Sequence, residues 1–445
     1  MPRNGSRANT IGLRREDKNA WERRVALTPD AVRRLHTQGI DVLVERFERR
    51  AFSDDAYADA GAKVVDDVRA ADVILGIKEI PSPWFHERGA YLFFSHTIKG
   101  QWFNMPMLSR MMKLGCTLID YECVTGDDGR RLIYFSRHAG LVGMIDTLWT
   151  LGTRLSRQGI ANPFDHMEPA HGYPNLGAAK EAVGRAAERI RAGEVPPEIR
   201  PLTIGFTGSG NVTRGALEVF RLLPFENVAP EELETWVEEN ADRSDMIGAV
   251  CFDLRHLAER VDGKAFDKAT YYAKPEGHRS RFAPYLSPLN VLVHGIYWDE
   301  RYPVFASREE LATAVDRRLR VIGDITCDVE GSLACTVRDT EPGDPVFVYD
   351  PTTGEAPSGF EGPGVAVMAV GNLPTELPLD ASEHFSEALE PFVPALAAAD
   401  LEAPFEQVDL PAPIRRAVIV WRGELTPDYA YLADDLARQG LSVTE

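Results

Sequence analysis

Charged side chains follow several short apolar runs in the first third of the chain. Parallel sheets place the carboxyl ends of their strands along one edge, and ligands bind in the crevice at that edge. If these runs are strands, the charged residues after them converge on one site. These residues are Arg24, Lys78, Glu79, His96, Lys99, Glu122 and Arg131. The alternative is a solvated sheet edge on which charges collect by chance.

Lys78 and His96 are the members of this group best suited to acid–base chemistry. A lysine titrates at a pKa of about 10.4 in water, and desolvation or nearby cations lower that value toward neutrality. The other cations of the group would lower the pKa of Lys78. The two glutamates would oppose the shift and could hold a substrate ammonium. The sequence therefore predicts proton transfer by Lys78 and His96 at working pH.

Alternating strands and helices would hold these residues in place. Thr28 can cap a helix that starts at Pro29, and Gly39 can end it. The alternation predicts a parallel sheet. The predicted strands are 11–13, 42–44, 73–77, 91–94 and 117–120, and the further predicted helices are 54–60 and 105–113.

A glycine-rich turn lies in the middle of the chain, in PLTIGFTGSGNVTRGA (201–216). A strand over 202–206 leads into Gly208-Ser209-Gly210-Asn211-Val212, and a helix comes next. Gly208 permits a tight turn, and Gly210 lets the backbone approach a pyrophosphate at the helix N-terminus. Thr213 stands at the usual third glycine position, two residues before Gly215. The pattern predicts a dinucleotide site, and the alternative is a purely structural turn.

Acidic residues near this predicted site could contact the dinucleotide. Asp324 and Asp328 come after a strand in VIGDITCDVEGS (321–332) and are predicted to meet the nicotinamide ribose or the substrate. Solvated loop acids are the alternative. Glu231 or Glu232 is the candidate acid for the other ribose. The residues alone do not separate NAD from NADP.

The length of the chain favours two domains. An apolar helix over 139–158 and a stretch rich in Pro, His and Gly over 159–200 indicate a crossing between them. We therefore predict a substrate and catalytic domain at 1–155 plus 378–445, and a dinucleotide-binding domain at 156–377. The predicted fold class is α/β, with two Rossmann-like parallel-sheet domains and a cleft between them. Closure of that cleft would exclude water from the reaction.

Composition limits the partners of the chain. A net charge of −19 disfavours nucleic acid and anionic membranes. The five cysteines form no CxxC pair, and no apolar run is long enough to cross a membrane. Residues 1–10 carry charge without an apolar stretch, so we expect no signal peptide and a cytoplasmic location.

His166 and His171 occur in PFDHMEPAHGYPN (163–175). Their spacing differs from the helical pair of a zinc site, and Pro169 lies between them. We predict that both histidines are structural or line the crossing between the domains, and we predict no metal.

With these residues assembled, the chain resembles the lysine–ketoglutarate reductases, that is, saccharopine dehydrogenases of the lysine-forming type. It is more distantly similar to alanine dehydrogenase and the transhydrogenase subunit. The motifs that carry the resemblance extend over nearly the whole chain. They are IGLRREDKNAWERRVALTP (11–29), LGIKE (75–79), FFSHTIK (93–99), LIDYE (118–122), HAGLVGMID (138–146), PFDHMEPAHGYPN (163–175), FTGSGNVTRGA (206–216), GIYWDE (295–300) and NLPTELP (372–378).

The resemblance implies roles for individual residues. Lys78 and His96 match the family's acid–base pair, and Arg24 and Arg131 match its substrate-binding arginines. Glu79, Lys99 and Glu122 match residues near the amino-acid substrate. The chain departs from the family at Gly371, where an Asp close to the cofactor and substrate is usual.

The resemblance also implies a reaction. Lysine and 2-oxoglutarate would condense, with NADP(H) as the expected cofactor and NAD(H) as the alternative, to give saccharopine. The partners would be these small molecules, with a homo-oligomer also compatible. The alternatives are an opine-type reductase for another pair of amine and keto acid, which Gly371 favours, and a non-catalytic dinucleotide-binding protein.

Overall fold

The computed structural model describes residues 9–441, and the chain divides into two compact units. Unit 1 comprises Met1–Phe135 and Pro378–Glu445, and unit 2 comprises Ser136–Leu377. The expectation of no signal peptide rests on residues 1–10, of which residues 1–8 lie outside the described part. Along residues 9–441, no helix is both long and apolar enough to cross a membrane.

The strands belong to two large sheets and one small two-stranded antiparallel sheet. They are β1 (Thr10–Leu13), β2 (Asp41–Glu45), β3 (Lys63–Val65), β4 (Val73–Leu75), β5 (Ala90–Phe93), β6 (Thr117–Asp120), β7 (Thr203–Thr207), β8 (Phe225–Asn227), β9 (Ile247–Phe252), β10 (Ala258–Arg260), β11 (His278–Ser280), β12 (Val291–His294), β13 (Val321–Asp324), β14 (Val346–Tyr349), β15 (Val365–Met368), β16 (Val418–Trp421) and β17 (Glu424–Leu425).

The α-helices connect and cover these strands. They are α1 (Pro29–Thr37), α2 (Asp54–Asp59), α3 (Met105–Lys113), α4 (Ser136–Arg157), α5 (Leu176–Arg191), α6 (Asn211–Phe220), α7 (Leu233–Glu239), α8 (Leu254–Leu257), α9 (Lys268–Ala273), α10 (Ala283–Leu286), α11 (Arg308–Arg317), α12 (Pro378–Leu389), α13 (Val393–Ala398), α14 (Ala412–Arg416) and α15 (Leu432–Arg438).

The sheet of unit 1 has the strand order β17-β16-β6-β5-β4-β1-β2-β3. Strands β1 to β6 are parallel to their neighbours, and β16 is antiparallel to β6. The carboxyl ends of β1, β4, β5 and β6 therefore lie side by side. The predicted strand over 73–77 stops at Leu75, because the Ile77 N–H donates to the Glu16 carboxylate.

The C-terminal segment completes unit 1. Strand β16 adds to the edge of β6, and helix α12 lies beside the start of α1. The Ser382 and Ser386 hydroxyls accept hydrogen bonds from the backbone N–H groups of Val25 and Thr28, each at 3.0 Å. The Phe385 side chain between them is fully buried. The start of α1 is thus fixed by residues far away in sequence.

The sheet of unit 2 has the strand order β14-β15-β13-β12-β7-β9-β8 and is parallel except for β14. The predicted fold class is therefore confirmed as α/β with two parallel-dominated sheets. The chain reaches the edge strand β8 before it returns to β9, beside β7. The strand that adjoins β7 is therefore β9 and not β8.

The boundary between the units differs from the predicted one at residue 155. Helix α4 belongs to unit 2, since it packs on α6 and β13. The stretch 159–200 is likewise part of unit 2 and not a crossing between units. Helix α5 buries Ala179 and Val183 in the core that holds Ile204 of β7.

Candidate active site

Lys78 and His96 lie just beyond two neighbouring strands of unit 1. Lys78 comes after β4 and His96 after β5, and these strands pair in parallel. Glu122 comes after β6 on the other side of β5. The structure thus brings Lys78, His96 and Glu122 to adjacent strand ends.

Lys78 lies in a largely buried environment with charges of both signs. Burial, with Arg24 nearby, lowers the pKa of Lys78 to about 8, while Glu22 and Glu79 act in the opposite direction. An amine with such a pKa exchanges its proton near neutral pH.

Glu16, which the sequence analysis did not single out, anchors the backbone at Lys78. Its carboxylate oxygens accept hydrogen bonds from the N–H groups of Ile77 (2.6 Å) and Lys78 (3.1 Å). Burial, together with the nearby Glu22 charge, raises the pKa of Glu16 to about 7. An acid placed just after β1 was the available signal, but its burial is visible only in the fold.

Arg24 is committed to a second carboxylate that the sequence analysis missed. Its guanidinium donates to both oxygens of Glu22, at 2.8 and 2.6 Å, and both side chains are buried. The guanidinium carbon also lies 4.1 Å from the ring centre of Phe135. Burial alone would raise the pKa of Glu22, but Arg24 keeps it below its ordinary value.

His96 is held by Glu79, which also binds Lys18. The Glu79 oxygens lie 2.6 Å from His96 Nδ1 and 2.7 Å from Lys18 Nζ. Burial opposes ionisation of Glu79, but these two partners lower its pKa to about 2. His96 has a φ of +51°, a conformation that is uncommon outside glycine, and Asn104 donates to its carbonyl at 2.9 Å.

Asp120, the last residue of β6, connects the loops that carry His96 and Glu122. Its carboxylate accepts from the N–H of Ser95 (2.9 Å) and of Glu122 (2.7 Å). Glu122 pairs with Arg131 at 2.5 Å, and the Arg131 side chain is 52% exposed. Lys99 is exposed on the loop after His96.

The glycine turn of unit 2 has the features that a pyrophosphate requires. Gly208 has a φ of +85°, and a Cβ on Gly210 would meet no atom within 4 Å. Gly210 starts α6 without a side-chain cap, so the first N–H groups, from Asn211 and Val212, are left for a ligand. The exposed Ser209 lies at the tip of the turn. The residues present therefore fit a dinucleotide.

The missing third glycine is explained by helix packing. A Cβ on Gly215 would lie 2.1 Å from the Arg137 carbonyl oxygen, and a Cβ on Gly140 would lie 1.9 Å from that of Val212. Helices α4 and α6 are therefore in backbone contact. Thr213 instead donates to the carbonyl of Thr207, at 3.0 Å.

The predicted acids of unit 2 have different environments. Asp324 is buried, and it accepts hydrogen bonds from Thr326, Thr336 and the Cys327 N–H, so it orders its own loop. Asp328 is half-buried on that loop. Glu231 and Glu232 come after the edge strand β8 and not after the strand next to β7.

Asp253 is the acid at the end of β9, the strand that adjoins β7. In register, Phe252 pairs with Thr207, so Asp253 comes directly at the edge where the glycine turn begins. Its carboxylate lies 3.3 Å from Arg255 and 2.9 Å from His256, and His256 also contacts Glu231. Asp253 could not be found from the sequence, because the chain forms the edge strand β8 before β9. The strand that follows β7 in sequence is therefore not its neighbour in the sheet.

Gly371 lies beside a carboxylate from another segment. A Cβ on Gly371 would stand 3.3 Å from Asp339 Oδ2. The two segments are joined by backbone hydrogen bonds, from Thr340 N–H to the Ala369 carbonyl and from Gly371 N–H to the Thr340 carbonyl. Asp339 is exposed.

The two histidines of 163–175 contact other parts of unit 2. His166 Nε2 lies 3.0 Å from the Ala182 carbonyl oxygen, and His171 Nδ1 lies 3.0 Å from Glu376. Burial raises the pKa of Glu376 to about 7, and Asp146 shares a hydrogen bond with it. Among residues 9–441 no cluster of His, Cys, Asp and Glu has a metal-binding arrangement.

The fold places the chain in a class of two-domain Rossmann-like proteins. The N-terminal segment of unit 1 and the start of α4, residues 12–142, match the model for the "Alanine dehydrogenase/PNT, N-terminal domain" family. An L-alanine dehydrogenase structure aligns at a TM-score of 0.61 and 18% identity, over 97% of this chain and 99% of that one. A transhydrogenase from Sinorhizobium meliloti aligns at 0.57 and 17%, over 94% and 100%.

Sequence relatives define the family more narrowly. The chain is 30% identical to the NAD(+), L-lysine-forming saccharopine dehydrogenase of Neurospora crassa, over 86% of this chain and 89% of that protein. It therefore belongs to the saccharopine dehydrogenase family of NAD(P)-dependent oxidoreductases. It is also 37% identical to the alpha-aminoadipic semialdehyde synthase of Arabidopsis thaliana and 36% to the mitochondrial one of Bos taurus. The matches cover 95% of this chain but only 41% and 47% of those relatives, so the chain spans less than half their length.

Proposed function

We propose that the chain catalyses the reversible, NAD(P)H-dependent reductive condensation of L-lysine with 2-oxoglutarate to saccharopine. The observation that carries the proposal is the pair Lys78 and His96 at neighbouring strand ends, with a Lys78 pKa of about 8 and with Glu79 holding His96. Carbinolamine formation and dehydration both move protons. A buried amine with a pKa of about 8 and an imidazole at the neighbouring strand end meet that need.

Lys78 acts as the base toward the substrate amine. In its neutral form it accepts a proton from the ε-ammonium of lysine, and the free amine then attacks the keto carbon. Burial and Arg24 make the neutral form accessible near pH 8. Glu16 keeps the amine in position by holding the Lys78 backbone.

His96 acts as the acid that removes the hydroxyl group of the carbinolamine as water. The ionised Glu79 accepts from Nδ1–H, which leaves Nε2 directed away from Glu79 for the substrate. Lys18 on the other Glu79 oxygen keeps that carboxylate ionised.

The two arginines have different tasks. Arg131 is half-exposed, and its planar guanidinium can bind a substrate carboxylate in a bidentate way. Arg24 is buried and already bound to Glu22, so its main task is to lower the pKa of Lys78. Glu122 and Lys99 flank the substrate on the same edge.

Asp339 supplies the carboxylate that the family carries at the position of Gly371. Its Oδ2 stands 3.3 Å from where a Cβ on Gly371 would be. A negative charge is thereby kept at this place although the residue that bears it differs. This supports lysine as the amine substrate over the amine of another opine-type reductase.

When bound, a nicotinamide dinucleotide would supply the hydride for reduction of the imine. The turn from Gly208 to Val212 would hold its pyrophosphate, and Asp253 at the end of β9 would contact the adenosine ribose. A carboxylate there favours the free 2′-hydroxyl of NAD(H), whereas Arg255 beside it favours the 2′-phosphate of NADP(H). Both cofactors belong in the assay.

The test measures the absorbance of NADPH and of NADH with purified protein, L-lysine and 2-oxoglutarate. Oxidation is expected only when both substrates are present, with saccharopine identified by mass spectrometry. Lys78→Met and His96→Gln should each reduce turnover by a factor of about 10² or more while dinucleotide binding persists. Reactions with pyruvate and ammonia serve as a substrate control.

Matched variants separate this proposal from a general loss of fold. Lys113→Met and His36→Gln change exposed residues of the same unit and should leave turnover unchanged. Dinucleotide binding without turnover on lysine and 2-oxoglutarate would redirect the search to other amines and keto acids. Full activity of Lys78→Met would refute the mechanism.

A further inference from the structure

Three residues form a row across the carboxyl ends of adjacent strands in unit 2. His294 ends β12, and it pairs in register with Thr207 of β7 on one side and with Asp324 of β13 on the other. The His294 side chain is fully buried. A histidine with no exposed surface needs partners for both ring nitrogens.

Both nitrogens of His294 have partners. Nδ1 lies 2.9 Å from the Thr207 hydroxyl, and Nε2 lies 2.7 Å from the Ser332 hydroxyl. The Thr207 hydroxyl also accepts from the Gly295 N–H at 3.3 Å. In a neutral ring one nitrogen donates and the other accepts, and each hydroxyl can take the matching role. Burial lowers the pKa of His294, which keeps the ring neutral although Asp324 acts in the opposite direction.

One partner of His294 belongs to the glycine turn. Thr207 directly precedes Gly208, and its carbonyl accepts from Thr213 in the first turn of α6. The Gly295 carbonyl oxygen lies 3.0 Å from where a Cβ on Gly208 would be. A change in the position of Thr207 therefore moves the turn that receives the pyrophosphate.

The other partner belongs to the loop after β13. Ser332 lies in the loop that carries Asp328, and its carbonyl accepts from the Phe305 N–H at 2.7 Å. Thr336 closes the same loop by donating to Asp324 at 2.6 Å. The imidazole thus spans from the glycine turn to this loop, and only a side chain with a polar atom at each end can do so.

We propose that His294 is a positioning residue for dinucleotide binding, which fixes the glycine turn 207–213 relative to the loop 325–336. The proposal rests on the dinucleotide-binding role of unit 2. His294 does not touch the ligand. Its effect arises because backbone donors stabilise a pyrophosphate only when they are held in one geometry before it arrives.

The test uses the full-length chain and the fluorescence of NADH and NADPH to measure their dissociation constants. His294→Leu introduces an apolar side chain of similar size, which removes both hydrogen bonds. It should weaken binding of both dinucleotides about tenfold. His294→Gln can accept from Thr207 and donate to Ser332, and it should recover part of that loss. The KM values for lysine and 2-oxoglutarate should stay at the wild-type level.

The matched control is His278→Leu. His278 is also buried in unit 2, but it lies on β11 and its Nδ1 contacts the Lys274 carbonyl. All variants are compared at a temperature well below their unfolding midpoints. Wild-type affinity in His294→Leu, or an equal loss in His278→Leu, would overturn the inference while the proposed function stands. A wild-type chain that binds neither dinucleotide would refute both.

Discussion

Burial acts on Glu16 and Lys78 in opposite senses. It raises the pKa of the acid to about 7 and lowers that of the amine to about 8. The two residues are joined through the Lys78 N–H, which donates to Glu16. Two groups that titrate near working pH are thus linked through the Lys78 backbone, and the rate of the enzyme should depend on both.

Glu16→Gln should remove one of these dependences. The ionised carboxylate accepts from both Ile77 and Lys78, so wild-type turnover should rise as pH increases through about 7. An amide has one acceptor oxygen and would oppose one N–H with its own. We expect about tenfold lower turnover and loss of the limb near pH 7. A rate profile from pH 6 to 10 checks this, with the exposed Glu48→Gln as control, and an unchanged limb would contradict it.

Ionisation of Glu16 has the opposite effect on folding: turnover should rise with pH, whereas folding stability should fall. The pKa of Glu16 is raised in the folded chain, so the folded chain binds more protons between the unfolded value of 4.5 and about 7. The stability that this group contributes is present below pH 4.5 and is lost as pH rises through about 7. Urea unfolding of wild type and Glu16→Gln at pH 5 and pH 8 should show a larger pH dependence in the wild type.

The proposed role of Asp339 can be tested by moving the carboxylate from position 339 to position 371. Asp339→Asn should raise the KM for lysine about tenfold, since a charged hydrogen-bond partner is lost. Adding Gly371→Asp to that variant should restore the KM, because the new carboxylate occupies nearly the same place. Steady-state kinetics on the two single variants and the double variant measure this. If the double variant has the same KM for lysine as Asp339→Asn, a carboxylate at position 371 does not replace the one at position 339.

At the scale of residues, the sequence predicted side chains at the ends of strands but not those that act through burial. Lys78 and His96 could be found because residues at the carboxyl ends of parallel strands must lie at one edge of the sheet. Glu16 and Glu22 could not, since only the folded chain removes them from water. The proposed role of Asp339 rests on its contact with Gly371, which lies on another segment and which sequence spacing does not reveal.

At the scale of elements, the contact between α4 and α6 lies beside the glycine turn of unit 2. Gly215 permits the backbone of α6 to touch Arg137, and Gly140 permits α4 to touch Val212. These contacts hold the first turn of α6, where the uncapped N–H groups lie. The same contact draws α4 into unit 2, which the apolar length of α4 did not predict.

Gly215→Ala should therefore affect both folding and binding. A methyl group 2.1 Å from a carbonyl oxygen forces the helices apart, which should cost about 2–3 kcal/mol of unfolding free energy. Dinucleotide affinity should fall with it. Thermal unfolding and NADH fluorescence measure the two effects.

The control for this change is Gly184→Ala. Gly184 is in the interior of α5, and a Cβ there would meet no atom within 4 Å. Alanine should stabilise this helix by about 0.5–1 kcal/mol and leave binding unchanged. If the two variants have the same unfolding free energy and the same NADH affinity, the close approach of α4 and α6 does not affect stability or binding.

Strand order set the main limit on predicting elements. Helix α3 and strand β6 match their predicted bounds, because each has a strong local pattern. Sequence order led to Glu231 and Glu232 as ribose acids, whereas the strand next to β7 is β9 and ends before Asp253. No local pattern reveals which of two short strands takes the edge.

At the scale of the whole molecule, unit 1 is built from both ends of the chain. A chain cut after Leu377 would lack β16, the partner of β6, and α12, whose serines accept from Val25 and Thr28. Unit 1 should then fail to fold, with Phe93 and Ile119 among the exposed core residues. Unit 2, whose chain is continuous from Ser136 to Leu377, should keep its structure.

Limited proteolysis and NADH binding of this truncated chain check the prediction. A protected fragment close to residues 136–377 that still binds NADH is expected, with residues 9–135 digested. Protection of the N-terminal part would show that β16 and α12 are dispensable. Lysine-dependent turnover should be absent.

The split construction of unit 1 has a consequence for synthesis on the ribosome. Strand β6 is finished roughly 300 residues before its partner β16, a delay of roughly 15 s to a minute at usual translation rates. Unit 2 can meanwhile fold as one piece. The apolar edge of β6 stays open to other nascent chains for that time. Slow codons placed between Ser136 and Leu377 should therefore lower the yield of folded protein. The same codons placed after β16 should lower it less.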